Sequence, residues 1–281
     1  MVLVFFCFFV FLLCVLNFFS SNVLLWSSVF LLMTVVFVCL SKGAGSYGSV
    51  LNYFVIQESL GLFFWFQFFL LQFFIVMLKI GMAPFHFWVF SVTTSLYDWL
   101  LMSFLTFQKL PFLPVLVQLF DFSVIFVFFV GIGMCYLQLF VLKSYKNMMI
   151  ISSTESFNSI VLTCFLSLVN VVYLFFYYIF LMIFLMPSFN IKDFNFVHWE
   201  TLLVFLNIPF SVSFFIKIFV LGEVLKLDSV FLLFLLFLMF LSMLCFSLWL
   251  VNVSVKNMKM AGDNLKSLFF FVLPIMIVSV I

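Results

Sequence analysis

Long apolar runs, separated by short polar breaks, follow one another along almost the whole chain. Each run is close to the roughly 20 residues that a helix needs to cross a hydrocarbon layer of about 30 Å. The runs do not alternate polar and apolar positions, as the strands of a membrane barrel would. The pattern therefore predicts eleven transmembrane helices. We place them at residues 2–19, 22–40, 49–66, 67–86, 95–117, 121–141, 147–167, 169–186, 200–222, 229–252 and 266–281.

The composition of the 281 residues supports this interpretation, because 68% of them are hydrophobic and only 7% are charged. So few polar side chains could not cover the surface of a water-soluble globular domain. We therefore predict an all-α fold, a polytopic membrane helical bundle that forms a single transmembrane domain over residues 1–281.

The lysines between the predicted helices test this topology, because lysine-rich short loops stay on the side from which a membrane protein inserts. Eleven spans place seven loop lysines on one side and one, Lys226, on the other. This asymmetry supports the count of spans and puts the N-terminus on the positive side. The seven are Lys42, Lys143, Lys146, Lys192, Lys256, Lys259 and Lys266.

Three lysines remain inside predicted helices, namely Lys79, Lys109 and Lys217. A lysine at the centre of a transmembrane helix opposes insertion by about 2.5 to 3.5 kcal/mol. Lys109 lies 11 residues after Asp98 and 12 before Asp121, so its side chain cannot easily reach either membrane surface. We expect these three side chains to face the interior of the bundle or a water-filled cavity.

A proline lies close to each of these lysines. A proline inside a helix removes one N–H and frees a carbonyl one turn earlier, and a broken helix is tolerated in a membrane only where protein or a hydrated cavity surrounds it. We predict discontinuous helices near Lys79 and Lys217. The alternative, that the prolines only kink packed helices, leaves the lysines unexplained. The prolines are Pro84, five residues after Lys79, Pro111, two after Lys109, and Pro209, eight before Lys217.

Two acidic residues, Glu58 and Glu155, also fall inside predicted helices, whereas the other acids lie near helix ends or in loops. Burial favours the neutral form of a lysine, and a nearby carboxylate favours the charged form. Lysines and glutamates that are joined by water can therefore pass a proton stepwise. The candidate relay residues are Lys79, Lys109, Lys217 and Glu58, with His86 and Glu155 as secondary candidates.

No cofactor or metal site is expected on this chain. Its six cysteines are scattered through apolar runs, without a CxxC pair and without a histidine at metal-ligand spacing. The glycines at 43, 45 and 48 lack the Lys-Ser/Thr of a phosphate-binding loop. We find no residue arrangement for hydrolase or transferase chemistry, and we expect no nucleic-acid partner.

Two segments resemble a known family. Lys79–Val89 reads KIGMAPFHFWV and Thr106–Leu110 reads TFQKL. Together they resemble the KxGxAPFHFW and TWQK motifs of subunit 2 of the mitochondrial proton-pumping NADH:ubiquinone oxidoreductase, complex I, which is an antiporter-like family. Asn52–Gln57 and Lys146–Ser153 are similar to two further segments of that family.

The resemblance implies an antiporter-like, proton-translocating subunit of the mitochondrial inner membrane. In that membrane the positive side, on which the lysines place the N-terminus, would be the matrix. Lys79 and Lys109 match two lysines of the family's central hydrophilic axis, and Lys217 resembles a third on a second discontinuous helix. The implied partners are other complex I membrane subunits, membrane lipid, and protons carried through internal water. FMN, iron–sulfur clusters, NADH and ubiquinone would be bound by other subunits, so that this chain performs no redox chemistry itself.

The sequence departs from the family at two positions that bear on the relay. Alignment of Trp26 with the tryptophan of the family's second helix puts Phe30 where the family has a glutamate. We hypothesise that Glu58, one helix later, supplies the carboxylate partner of Lys79 instead. Glu155 takes the place of a family histidine that follows a Ser-Ser pair, which puts the role of that histidine in doubt here.

Two other functions fit parts of the sequence. A stand-alone cation/proton antiporter would share the fold, but the chain is short and offers little polar surface for independent gating. A structural membrane subunit would use the lysines only to brace the bundle through ion pairs.

Overall fold

The structure is a computed structural model. It describes residues 2–41, 47–66, 68–96, 98–121, 124–142, 144–164, 197–198, 212–225, 229–255 and 260–261. The chain divides into two compact units, Met1–Val127 and Phe128–Ile281. The prediction of one transmembrane domain over the whole chain stays a prediction.

The described part of the first unit contains helices and their connections, without strands. Its apolar sequence favours helices because a helix satisfies every interior backbone N–H and C=O within one segment, which a hydrocarbon surrounding requires. The helices are α1 (Val2–Phe19), α2 (Val23–Ser41), α3 (Tyr47–Phe63), α4 (Phe69–Ile80), α5 (Phe87–Thr93), α6 (Asp98–Leu105), a 3₁₀ helix (Phe107–Phe112) and α7 (Leu113–Gln118).

The connection between α1 and α2 shows how short polar breaks end one helix and start the next. The Asn22 side-chain oxygen accepts the Leu24 N–H at 3.0 Å, and so caps the N-terminus of α2. The Trp26 indole N–H donates to the Ser20 carbonyl at 2.9 Å and closes the turn. The polar triplet at 20–22 thus fixes the boundary that the hydrophobic pattern predicts.

A small apolar core joins α1 and α2, with Phe6, Val10 and Leu13 packed against Val29 and Met33. The 3₁₀ helix and α7 pack on α1, while α3 packs on α2, α4 and α5. Many large apolar side chains on the outer faces of these helices stay exposed. Such extensive apolar exposure is typical of a surface that faces lipid or other subunits.

The second unit contains four described helices and a minimal strand pair. The elements are α8 (Ile125–Val141), which begins just before this unit, α9 (Tyr145–Cys164), β1 (Val197–His198), α10 (Val212–Val224), α11 (Ser229–Val255) and β2 (Met260–Ala261). The helix α10 packs against α9 and α11. The strands form a parallel pair with Val197 opposite Met260 and His198 opposite Ala261.

The prediction of a helical fold is confirmed, with the two-residue strands as a small departure within the described residues. In the part of the chain that the structure describes, two helical segments are long and apolar enough to cross a membrane, Val23–Ser41 with 19 residues and Trp99–Gln118 with 20. The predicted spans 169–186 and 266–281, and the start of the span at 200–222, lie outside the described residues. The count of eleven therefore stays a prediction.

Candidate functional site

The helix that carries Lys79 ends directly after it, as predicted. The helix α4 stops at Ile80, and Gly81 adopts a left-handed conformation with φ 71° and ψ 43°. The Gly81 N–H donates to the Leu78 carbonyl, and the Met82 N–H donates to the Met77 carbonyl, both at 3.1 Å. This pair of hydrogen bonds is the Schellman arrangement that closes helices at a glycine.

The segment between α4 and α5 leaves no room for a larger residue at the break. A Cβ atom on Gly81 would lie 2.3 Å from Cγ2 of Val89 in α5. The Ala83–Pro84 peptide bond is cis. The Trp88 indole N–H donates to the Leu78 carbonyl at 2.9 Å, so that α5 is tied back to the end of α4. The break is therefore a packed structure that holds Lys79 at a helix terminus.

Lys79 is almost completely buried, with 3% of its surface exposed. Its ammonium Nζ donates to the Gln57 carbonyl at 2.8 Å, and the Gln57 side-chain amide donates back to the Lys79 carbonyl at 2.8 Å. Gly61, one turn after Gln57, lies beside this contact, since a Cβ there would be in ordinary van der Waals contact with Nζ at 3.5 Å. The two reciprocal hydrogen bonds lock α4 against α3 at the helix break.

Glu58 follows Gln57 on α3 and is half-buried. Its carboxylate accepts a hydrogen bond from the Thr34 hydroxyl of α2 at 2.8 Å. The charge of Glu58 also acts on that of Lys79 through space. The Thr34 hydroxyl therefore orients the carboxylate that we hypothesise to be the partner of Lys79.

Phe30 lies one turn before Thr34 on α2, and its ring faces Lys79. The distance from Nζ to the ring centroid is 5.4 Å. The ring stacks on Phe112 with centroids 4.6 Å apart, and it packs edge-on against Phe64 at 5.4 Å. An aromatic face thus occupies the position next to the ammonium, within the range of a cation–π contact.

Lys109 is also 3% exposed, and it lies in the 3₁₀ helix between α6 and α7. We predicted no broken helix at Lys109 from the sequence. Pro111, two residues later, is the residue that could have indicated the break. The Asn17 amide of α1 donates to the Pro111 carbonyl at 2.7 Å. The Gln118 amide donates to the Phe18 carbonyl at 3.0 Å. These contacts hold the interrupted helix against the end of α1.

His86, a secondary candidate from the sequence, lies at the break directly before α5. Its side chain is fully buried, and its ring stacks on Phe87 with centroids 5.2 Å apart. This position suits a structural role in the break, and the role of His86 in proton transfer stays a prediction.

The second unit brings together Lys217 and Glu155, which the sequence marked separately. The Lys217 ammonium lies 2.7 Å from the Glu155 carboxylate, and both side chains are more than nine-tenths buried. Tyr136 joins them, because its hydroxyl donates to Glu155 at 2.5 Å and accepts from Lys217 at 3.3 Å. The sequence reasoning missed Tyr136, since nothing in the pattern shows which helices meet. The break predicted before Lys217, at Pro209, lies outside the described residues.

The helix α9 that carries Glu155 has an unusually polar buried face. Its hydroxyl side chains donate to backbone carbonyls one turn earlier, as Ser152 does to Met149 and Ser153 to Ile150. These local bonds let hydroxyl groups stay buried with their donors paired. Within the described residues, no group of three or more histidine, cysteine or acidic side chains could hold a metal ion.

Buried ionisable side chains beside a broken helix are typical of helical membrane proteins that carry charge in their interior. Ion-translocating helical bundles belong to this class. No protein-family model matches the chain. It is 79% identical to NADH-ubiquinone oxidoreductase chain 2 of Ascaris suum over 280 residues, which cover 99% of this chain and 93% of the relative. It is 55% identical to the protein of that name from Caenorhabditis elegans over 281 residues, which cover 99% of this chain and 100% of the relative. The chain therefore belongs to the NADH-ubiquinone oxidoreductase chain 2 family.

Proposed function

We propose that the chain is a membrane subunit of the mitochondrial NADH:ubiquinone oxidoreductase, complex I, and translocates protons across the inner membrane. The names of its relatives support membership in an oxidoreductase complex. The observation that carries the proton role is the burial of Lys79 at the end of α4, where its ammonium contacts a backbone carbonyl and feels the charge of Glu58.

The contacts of Lys79 suit a group that gains and loses a proton. The Gln57 carbonyl accepts a hydrogen bond from a neutral amine as well as from an ammonium. Lys79 can therefore change its charge without losing its partner or pulling α3 away from α4. Glu58 does not need to touch the ammonium, because its charge acts on a buried amine through space. Lys79 is then protonated and deprotonated as the charges around it change.

The second group, Lys217 and Glu155, suits proton exchange by direct contact. A proton that moves over 2.7 Å from Nζ to the carboxylate oxygen leaves a neutral amine and a neutral acid. Burial lowers the free-energy difference between the ionic and the neutral pair, because desolvation penalises both charges. The charge state of this group is therefore sensitive to other charges in the interior.

The relay residues of the proposal are Lys79, Lys109, Lys217 and Glu58, with Glu155 joined to Lys217 as its acid. Internal water carries protons to and from these groups. FMN, iron–sulfur clusters, NADH and ubiquinone belong to other subunits, and this chain performs no redox step. Other membrane subunits and lipid cover the exposed apolar faces, and the N-terminus lies on the matrix side.

The competing function is a stand-alone cation/proton antiporter, and reconstitution separates the two. The intact complex and the isolated full-length chain are placed in separate liposomes that contain a pH-sensitive dye. We expect the intact complex to change the pH of the liposome lumen only when NADH and a quinone are supplied. We expect no flux through the chain alone under a sodium or potassium gradient. Cation-driven proton flux through the chain alone would contradict the proposal and support the antiporter.

A further inference from the structure

Tyr136 lies at the point where three helices of the second unit meet. Its side chain comes from α8, Glu155 comes from α9, and Lys217 comes from α10. The tyrosine is 2% exposed. Its hydroxyl donates to the same Glu155 oxygen, Oε1, that receives the Lys217 ammonium at 2.7 Å. The three polar groups thus form a closed triangle in the interior.

The hydroxyl is oriented to stabilise both charges of the pair. As a donor to the carboxylate it supports the negative charge, and as an acceptor at 3.3 Å from Nζ it supports the positive charge. Its ring centroid lies 5.5 Å from the same Nζ, which adds a cation–π contact.

We propose that Tyr136 is a positioning residue that holds Lys217 and Glu155 at the distance at which a proton passes between them. In that step the N–H bond of the Lys217 ammonium breaks, its electron pair stays on nitrogen, and an O–H bond forms on Glu155. Tyr136 gains and loses no proton. When the pair is neutral, the hydroxyl still offers an acceptor to Lys217 and so keeps the amine in place. This inference rests on the proposed proton translocation.

The test is Tyr136→Phe in the intact complex, because phenylalanine keeps the ring and removes the hydroxyl alone. We measure the protons translocated per NADH oxidised in liposomes, normalised to the amount of assembled complex. The single variant Glu155→Gln and the double variant, which combines Tyr136→Phe with Glu155→Gln, complete a double-mutant cycle. Cys135→Ala is the matched control, since Cys135 neighbours Tyr136 on α8 and its sulfur contacts Thr154 of α9 at 3.8 Å.

We expect Tyr136→Phe to assemble and to lower the proton-to-NADH ratio by about as much as Glu155→Gln does. The double variant should be no worse than Glu155→Gln alone, because the hydroxyl acts only through the pair. Cys135→Ala should keep the original ratio. A packing role would instead lower the amount of complex and leave the ratio per complex unchanged.

Three results would overturn the inference, and they separate it from the proposed function. An unchanged ratio in Tyr136→Phe, together with a lowered ratio in Glu155→Gln, removes the role of Tyr136 and leaves the relay intact. Unchanged ratios in both variants remove the inference together with the relay role of the pair. Loss of assembly in Tyr136→Phe while Glu155→Gln assembles shows that the hydroxyl serves packing and not the pair.

Discussion

Substitutions in the buried ion pair of Lys217 and Glu155 can distinguish a structural role, in which the pair braces the helices, from a role in proton transfer. At 2.7 Å and an effective dielectric constant of about 20, the Coulomb attraction is about 6 kcal/mol before desolvation is subtracted. Removal of one partner leaves a buried charge that lacks its counter-charge, which destabilises a protein by about 3 to 5 kcal/mol. Removal of both charges, with side chains of similar size, is close to neutral.

We therefore expect Lys217→Met and Glu155→Gln each to lower the thermal stability of the complex, and the double variant to recover most of the loss. The assay is the amount of complex on native gels and the temperature at which its NADH oxidation is lost. The recovered double variant should translocate fewer protons per NADH than the original chain, since it has no proton-exchanging group at this site.

Two results would refute this reasoning. A double variant that assembles and keeps the original proton-to-NADH ratio would show that the pair only braces the bundle. Single variants with unchanged stability would show that the pair is more hydrated than its burial of more than nine-tenths indicates.

Two further substitutions test the geometry around Lys79. Gly81→Ala should lower the amount of assembled complex on native gels, since a left-handed φ destabilises an L-residue by about 1 to 2 kcal/mol and the new Cβ would lie 2.3 Å from Val89. The control is Gly133→Ala, which should assemble normally because a Cβ there would meet nothing within 4 Å. Thr34→Val keeps the shape and removes the donor to Glu58. It should assemble and translocate fewer protons per NADH, and an unchanged ratio would show that the orientation of that carboxylate is unimportant.

The sequence predicted the elements whose cause is local. The boundaries of α1 and α2 follow from apolar runs and from the polar residues between them. The break after α4 lies between Lys79 and Pro84, where the proline predicted a discontinuous helix. We expected Lys79 and Lys109 to face the bundle interior because each lies inside a predicted helix, and the structure buries both side chains.

The contacts between helices could not be predicted in the same way. Nothing in the spacing joins Thr34 to Glu58, or Glu155 to Lys217 and Tyr136, because each contact depends on how separate helices rotate and pack. The apolar runs are hydrophobic on all sides, so no amphipathic pattern indicates which face turns inward.

The central claim is that buried lysines carry protons, and Lys109→Met in the intact complex tests it most directly. Methionine has similar length and no charge, so the variant avoids about 2.5 to 3.5 kcal/mol of insertion penalty. The control is Lys256→Met, at a lysine that the sequence assigns to a loop. The measurement is the number of protons translocated per NADH oxidised, normalised to assembled complex. We predict that Lys109→Met assembles with a lowered ratio while the control keeps the original one; an assembled Lys109→Met complex with the original ratio would contradict the relay.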